Sequence, residues 1–341
     1  MSNLFPHLLG NEHLKELIAA DIRRGTFLHA CILESEKGNG IEDSALDIAA
    51  AIACKNKQSD LYSLPCGRCP SCEKILNRNC IDMITIDKGD KASIGVDRIR
   101  ELKQNTVLSA SELDCKIYMI LEADKMTEEA QNALLKILEE PPIEETYFLL
   151  CTENSEALLP TVRSRAPVMR LTPPTRSVTA AIIEAEFGVG SEEAYRAATA
   201  AGNGIALARE IIRGTDDGKA RIKAYDQARA ITEMLATKRS KSDIILYISS
   251  LSLKKEEATE ILRLIYSGLR DIIAVKRCRD IATDLYPTAE EARKYAGRIT
   301  ARGAVAISDA VSNALSSLDK NASPKNVMLA FAVEAHNALF G

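Results

Sequence analysis

The sequence predicts an α/β domain built on a parallel sheet, followed by a region that is helical throughout. Short apolar runs of strand length recur in the first half of the chain, for example at 81–86, 117–121 and 147–151. Segments with apolar residues at helical spacing lie between these runs. This alternation is typical of parallel sheets, because parallel neighbours need a crossover connection and a helix usually supplies it. After residue 215 the apolar pattern has helical spacing alone.

Residues 116–151 contain the clearest strand–helix–strand unit. The run Ile117–Leu121 is short and continuously apolar, as in a strand that is buried on both faces. Thr127 can cap the helix that follows, and Pro141 lies where that helix has to end. The apolar stripe of this helix consists of Ala130, Ala133, Leu134, Ile137 and Leu138. The second run, Tyr147–Cys151, is then the next strand of the sheet.

Two arginines follow the second strand, on a segment bounded by prolines. Arg163 and Arg165 lie between Pro160 and Pro167. A guanidinium is always charged and presents a rigid fork of donors that matches phosphate. We therefore take Arg165 as the best candidate for the residue through which the protein acts. The alternative is a loop arginine that pairs with a nearby carboxylate such as Glu156, and the role of Arg163 stays open.

Composition limits the classes of protein that fit. A chain of 341 residues is long enough for two or three domains. The formal net charge is −4 and the isoelectric point is about 5.8, so the chain as a whole lacks the basic character of a nucleic-acid-binding protein. The first residues do not resemble a signal peptide, and no apolar run approaches the length of a membrane span. We therefore expect a cytoplasmic protein without membrane contact.

A strand, a glycine-bearing turn and a helix follow one another at 29–52, which is the context of a phosphate-binding loop. Such a loop has the pattern GxxxxGK[ST], in which the lysine contacts the phosphates and the hydroxyl contacts Mg²⁺. The loop positions here are occupied by Ser35, Gly38, Gly40, Ile41 and Glu42. Ile41 replaces the lysine and Glu42 replaces the hydroxyl residue, so the loop is degenerate. A plain strand–turn–helix is the alternative, and neither interpretation predicts nucleotide hydrolysis.

The position expected to hold Mg²⁺ is altered as well. In this kind of domain an acidic residue ends the strand at 117–121, whereas this chain has Leu121, followed by Glu122. A leucine side chain has no oxygen with which to ligate a hard cation. Two elements of the nucleotide site are therefore lost independently, and we expect this chain to bind no ATP.

Four closely spaced cysteines predict a structural zinc site. Cys66, Cys69 and Cys72 form a C-x2-C-x2-C pattern, and Cys54 lies upstream at the end of a predicted helix. Four thiolates at such spacing suit tetrahedral Zn²⁺ and leave no open position for catalysis. Cys80 follows closely, and we interpret it as an ordinary half-buried thiol, with zinc ligation as the alternative.

We divide the chain into three domains. Residues 1–170 form the α/β domain, with the zinc module inserted near 54–80. The segment LTPPTRS at 171–177 has the composition of a linker, and residues 171–214 form a small helical domain. Residues 215–341 form a helical bundle for packing or oligomerisation, because the sequence there contains no catalytic constellation.

These motifs resemble those of the bacterial clamp loaders, and among them the delta-prime family of DNA polymerase III subunits. The matching segments, in family order, are GNEHLKELIAADIRRGTFLHACIL, CGRCPSCEKI, ILEADKMTEEAQNALLKILEEPP and TYFLLCTENSEALLPTVRSR. The resemblance is strong over the first 170 residues and architectural beyond them. It implies an AAA+-type domain, a small helical lid at 171–214 and a helical collar at 215–341 that joins a ring of subunits.

The resemblance also implies roles for particular residues. Ser164, Arg165 and Ala166 stand in the place of the family's Ser-Arg-Cys motif, so Arg165 would act in trans as an arginine finger in the ATP site of the adjacent motor subunit. The family's zinc positions fall on Cys54, Cys66, Cys69 and Cys72, which weakens the case for Cys80 as a ligand.

The implied partners are the motor subunits of the gamma/tau type and the delta subunit that opens the sliding clamp. Through the complex, the clamp and primer–template DNA would also be partners, and the process would be clamp loading during DNA replication. The chain itself would not be an enzyme. One alternative is a gamma/tau-type motor ATPase with a divergent nucleotide site. Another is a free-standing zinc-dependent DNA-binding module.

Overall fold

The computed structural model describes the chain except for residues 1–3, 60–62, 107, 142, 144, 238–239, 279–280 and 341, and residue 301 is described by its backbone alone. The chain divides into two compact units, Met1–Thr175 and Arg176–Gly341. The first unit contains the sheet and the second consists of helices. A further division of the second unit near residue 214 stays a prediction.

Five strands form one parallel sheet in the described part of the first unit. They are β1 (Ala30–Ser35), β2 (Met83–Ile86), β3 (Lys116–Ile120), β4 (Thr146–Thr152) and β5 (Val168–Leu171). Their order across the sheet is β2-β3-β4-β1-β5, and each neighbouring pair is parallel. The predicted AAA+-type α/β fold class is thereby confirmed.

Six α-helices accompany the sheet in the described residues of this unit. They are α1 (Glu12–Arg24), α2 (Ile41–Ile52), α3 (Pro70–Leu76), α4 (Val96–Thr106), α5 (Glu128–Glu139) and α6 (Pro160–Arg163). The Oγ1 atom of Thr127 accepts a hydrogen bond of 3.2 Å from the backbone N–H of Ala130, so the predicted cap of α5 is present.

Strand β3, which lies between β2 and β4, is buried on both faces, as its apolar sequence predicts. Ile117 and Met119 belong to the apolar core that α1, α2 and α3 cover. Tyr118 and Ile120 belong to the core that α4, α5 and α6 cover, where Tyr118 stacks on Phe148 with 5.3 Å between ring centroids. The sheet therefore separates the cysteine-bearing helices from the helices next to the arginine segment.

Two edges of the sheet differ from the prediction. β2 begins at Met83, and Ile81, which the apolar run had included, is 67% exposed. The reason is the intervening Asp82, whose carboxylate turns inward and accepts backbone hydrogen bonds of 2.6–3.1 Å from residues 111–113. β5 was not predicted, because this short edge strand carries the exposed Arg170 and its apolar run is too brief to stand out.

The second unit consists of helices in its described residues. They are α7 (Arg176–Phe187), α8 (Ser191–Ala200), α9 (Ile205–Arg213), α10 (Asp216–Ala236), α11 (Lys241–Ser250), α12 (Lys255–Arg277), α13 (Ala289–Ala296), α14 (Ala301–Asp319) and α15 (Pro324–Phe340). The central α12 closely approaches α10, at Gly268 beside Thr232, where an added side chain would also strike Leu285. Among the described helices, we find none with the length and apolarity needed to cross a membrane.

Candidate functional site

The loop between β1 and α2 keeps the backbone form of a phosphate loop's glycine turn. Gly38 and Gly40 have φ angles of 84° and 73°, in the left-handed region that glycine adopts without strain. The Nδ2 atom of Asn39 donates a 3.0 Å hydrogen bond to Oγ of Ser35, which closes the loop on the end of β1. α2 then begins at Ile41, where a phosphate loop would place its lysine. The loop therefore has glycines in the left-handed conformation, but it lacks the lysine that would contact phosphate.

A cavity of about 290 Å³ lies where the nucleotide phosphates and their metal would be held. Its lining consists of Ile41, Glu42, Asp87, Gly89, Leu121, Glu122 and Cys151. Leu121 packs against the apolar core and presents no ligand to the cavity. The lining includes three carboxylates, which when ionised cannot donate a hydrogen bond to a phosphate oxygen. The absence of ATP binding stays a prediction, which this lining favours.

A cation from another element lies beside this loop. Arg78 follows α3 and pairs with Glu42, and its Nη2 atom lies 3.5 Å from the Asp43 carboxylate. Lys88 similarly pairs with Glu122 at 2.7 Å. The chain therefore neutralises these acids with its own side chains. Sequence reasoning missed Arg78, because nothing in its local pattern connects it to a residue 36 positions away.

The arginine segment is tied to α5 at its base. Gln131 of α5 is 4% exposed, and its Oε1 atom accepts a 2.7 Å hydrogen bond from the backbone N–H of Leu159. The amide nitrogen of Gln131 donates in turn to the carbonyl of Met126 at 3.2 Å. Val162 of α6 is fully buried beneath the segment. The short helix α6 is therefore fixed in place although it has little more than one turn.

Arg165 lies just past α6 and keeps its guanidinium at the surface. Its side chain is 33% exposed and pairs with the Glu139 carboxylate. Its Nη1 atom donates to the carbonyl oxygen of Thr161 at 2.9 Å and lies 3.4 Å from Oγ of Ser164. The carboxylate that the sequence suggested as a partner, Glu156, pairs instead with Arg163 at 2.6 Å.

The structure brings the four predicted cysteines together. The sulfur atoms of Cys54, Cys66, Cys69 and Cys72 all lie within 4.8 Å of one another, and all four residues are buried. The Sγ atoms of Cys66 and Cys72 are 3.9 Å apart. Four thiolates around Zn²⁺ at about 2.3 Å would be about 3.8 Å apart, so the donor set fits this metal.

The surroundings of this cluster lower the pKa of the Cys54 and Cys66 thiols, and the hydrogen bond to Cys54 raises the pKa of Cys72. The hydrogen bond from the Cys72 thiol, together with backbone donors, lowers the pKa of Cys54 to about 5. Asn56 donates to Sγ of Cys66 at 3.4 Å. Cys80 is buried too, and its burial raises its pKa. Among the described residues, the group with metal-ligand geometry does not include Cys80, which agrees with the preferred prediction.

The parallel sheet, the glycine loop before α2 and the arginine segment after β4 define an AAA+-type α/β domain. Residues 10–175 match the family described as "DNA polymerase III, delta subunit". Over these residues, just under half of the chain, the sequence is similar to this family of DNA polymerase III subunits.

Individual relatives agree with that family. The chain is 32% identical over 193 residues to DNA polymerase III subunit delta' of Haemophilus influenzae, which is 57% of each chain. It is 39% identical over 139 residues to the delta' subunit of Yersinia pestis, covering 40% of this chain and 39% of that protein. It is also 32% identical over 206 residues to subunit gamma/tau of Mycobacterium tuberculosis, covering 59% of this chain and 35% of that protein.

The similarity is confined to part of each protein. The matched segments span between about a third and three fifths of the length of these curated relatives. A solved structure of a gamma subunit-related protein from Thermotoga maritima covers 96% of this chain and 98% of its own, with a TM-score of 0.47 and 17% identity. Nothing about function follows from a likeness at that level.

Proposed function

We propose that this chain is a non-hydrolysing, delta-prime-type subunit of a DNA polymerase III clamp loader, and that it supplies Arg165 to the ATP site of a neighbouring subunit. The observation that carries the proposal is the placement of Arg165. Its side chain is one-third exposed, at the end of a segment that Gln131 ties to α5 by a hydrogen bond. An arginine whose backbone is fixed and whose side chain is partly exposed is suited to contact the ATP site of a partner.

The chemistry asked of Arg165 is charge stabilisation. Hydrolysis of ATP develops negative charge on the transferred phosphoryl oxygens, and a guanidinium can contact two of them at once. Fingers supplied in trans to GTPases accelerate hydrolysis by about 10³–10⁵-fold. Ser164 has a supporting role in this proposal, because its hydroxyl lies against both the Arg165 side chain and the Thr161 carbonyl.

The chain's own pocket is proposed to be inactive. Ile41 and Leu121 supply neither the phosphate-binding cation nor the metal ligand, and two of the carboxylates that line the cavity, Glu42 and Glu122, pair with cations of the chain itself. The neighbouring motor subunit, of the gamma/tau type, would hold the ATP. A delta subunit would open the sliding clamp, and primer–template DNA would be reached through the assembled complex.

Zn²⁺ is proposed as a structural cofactor held by Cys54, Cys66, Cys69 and Cys72. When bound, the metal would cross-link the protein but would take no part in a reaction, because four protein ligands complete its coordination. It would join the end of α2 to α3, whose first turn is capped by Sγ of Cys69. Structural zinc sites contribute about 10–16 kcal/mol of apparent binding free energy, which is enough to order the segment between these helices.

The proposal is tested by combining the Arg165→Ala chain with motor and clamp-opening subunits. We expect assembly to proceed normally, as followed by native mass spectrometry, while DNA-stimulated ATP hydrolysis falls. Arg98→Ala is a matched control, because Arg98 is a surface arginine of the same unit that pairs with Glu101 within its own helix. Normal hydrolysis by the Arg165→Ala assembly would refute the finger role.

A second candidate function is a motor subunit with a divergent nucleotide site. Gamma and gamma/tau relatives match this chain at 32–33% identity, much like the first delta' relative. Saturable binding of ATP and Mg²⁺ by the isolated chain would favour the motor. A free-standing DNA-binding module would instead show tight, salt-sensitive DNA binding by the chain alone.

A further inference from the structure

Glu139 forms an ion pair with Arg165, whose guanidinium enters the ATP site of a partner in the proposed function. Glu139 is the last residue of α5, and its carboxylate pairs with Arg165, 26 positions further along the chain. The Glu139 side chain is 45% exposed and the Arg165 side chain is 33% exposed, so the pair lies at the protein surface. The last carbonyls of α5 add negative potential at the same place.

The contacts of Arg165 define one particular orientation of its side chain. One nitrogen of the guanidinium, Nη1, donates to the Thr161 carbonyl at 2.9 Å, and the other, Nη2, faces Glu139. The carbonyl belongs to the fixed helix α6, whereas the carboxylate belongs to a side chain that is free to rotate at the surface. Of these two partners, Glu139 is therefore the one that an incoming anion can displace.

A phosphate oxygen and the Glu139 carboxylate are alternative partners for the same donors. Both are anionic acceptors that suit the fork of a guanidinium. Water and salt screen an exposed ion pair, so its contribution is small and its loss is readily compensated. Triphosphate on a neighbouring subunit carries more charge than one carboxylate and would take the guanidinium from Glu139.

We propose that Glu139 is a positioning residue that holds the Arg165 guanidinium at the protein surface before ATP is present and is displaced by the phosphates when ATP binds. This inference rests on the proposed function, since it assumes that Arg165 reaches ATP in trans. Glu139 therefore competes with the nucleotide. Removing its charge lowers the ATP concentration needed for hydrolysis and leaves the chemical step unchanged.

The test measures steady-state ATP hydrolysis by the reconstituted complex on primed DNA, with ATP titrated. Glu139→Gln is expected to lower the apparent KM by up to about five-fold, the range that an exposed ion pair allows, with kcat unchanged. Glu140→Gln is the matched control, because Glu140 is the next residue, is also exposed and carries the same charge. That control should leave both constants unchanged.

The double variant Glu139→Gln/Arg165→Ala separates this inference from the proposed function. If Glu139 acts through Arg165, the lowered KM disappears when Arg165 is absent. An unchanged or raised KM in Glu139→Gln, or a lowered KM that persists without Arg165, would overturn the inference and leave the finger role intact. Undiminished hydrolysis by the single Arg165→Ala variant would overturn the proposed function and the inference together.

Discussion

Arg78 forms an ion pair with Glu42 and thereby connects α3 to α2. The cysteine cluster lies beside the same two helices. Arg78 lies just past the end of α3, and Glu42 lies in the first turn of α2. Cys69 and Cys72 lie at the beginning of α3, and Cys54 follows α2. α3 is therefore connected to α2 at both ends. The cysteine cluster lies at one end, and the Arg78–Glu42 ion pair lies at the other.

Replacing Arg78 with alanine should weaken the connection between α3 and the first turn of α2. The two side chains of the pair are 47% and 38% exposed, so the loss in unfolding free energy should be at most about 1 kcal/mol. Hydrogen exchange of the backbone amides in the first turn of α2 should become faster. Arg98→Ala is the control, and equal exchange in the two variants would show that Arg78 does not restrain α2.

Replacing Cys72 with serine should remove the metal and disorder the segment between α2 and α3. A serine hydroxyl is a poor ligand for zinc compared with a thiolate, and the site depends on four donors. Metal analysis of the purified protein should show loss of about one zinc per chain, and limited proteolysis should cut near residues 55–68. Cys80→Ser should retain the metal, and loss of zinc from that variant would place Cys80 among the ligands.

Asp82 should contribute stability that depends on pH. Burial works against its charge, but hydrogen bonds from the backbone of Glu112, Leu113 and Ser111 prevail and lower its pKa. A lowered folded-state pKa means that the stabilisation is present above the unfolded value of about 3.9 and is lost as pH falls through the folded value. Asp82→Asn should cost about 1–3 kcal/mol at pH 7.

Urea denaturation at several pH values measures that contribution. The difference in unfolding free energy between the wild-type chain and Asp82→Asn should stay constant from pH 7 to about 5 and shrink below about pH 4. A difference that is independent of pH throughout this range would show that the charge of Asp82 is not what orders the loop at 111–113.

Restoring the lost groups should restore some nucleotide binding. The triple variant Ile41→Lys/Glu42→Thr/Leu121→Asp supplies a phosphate-binding cation, a hydroxyl and a metal ligand to a loop whose glycine turn is already formed. Calorimetry should detect binding of ATP with Mg²⁺ to this variant and none to the wild-type chain. Binding by the wild-type chain would contradict the account of its pocket.

Much of the architecture follows from local sequence. The strands at 117–121 and 147–151 and the helix between them are set by apolar spacing and by a cap at Thr127, all of which act over a few residues. The cysteine cluster was predictable because three of its members are closely spaced and Cys54 follows a recognisable helix.

The interactions that complete the site were not predictable in this way. The pairs Arg78–Glu42 and Arg165–Glu139 join residues that are distant in sequence. By charge alone, many other surface carboxylates are equally suitable partners for these arginines. The partner chosen depends on where the helices pack, so Arg165 pairs with Glu139, whereas Glu156, the carboxylate given as an example under the alternative interpretation, pairs with Arg163. Ile81 was assigned to β2 because an apolar residue next to a strand does not reveal that the carboxylate of Asp82 turns inward and leaves Ile81 exposed.

We propose that this chain hydrolyses no ATP itself and donates Arg165 to a site that does. The most direct measurement compares ATP hydrolysis on primed DNA by complexes that contain either the wild-type chain or Arg165→Ala, after native mass spectrometry has shown equal assembly. We expect a lower kcat for the variant complex, because one active site loses its guanidinium. Equal kcat for the two complexes would contradict it.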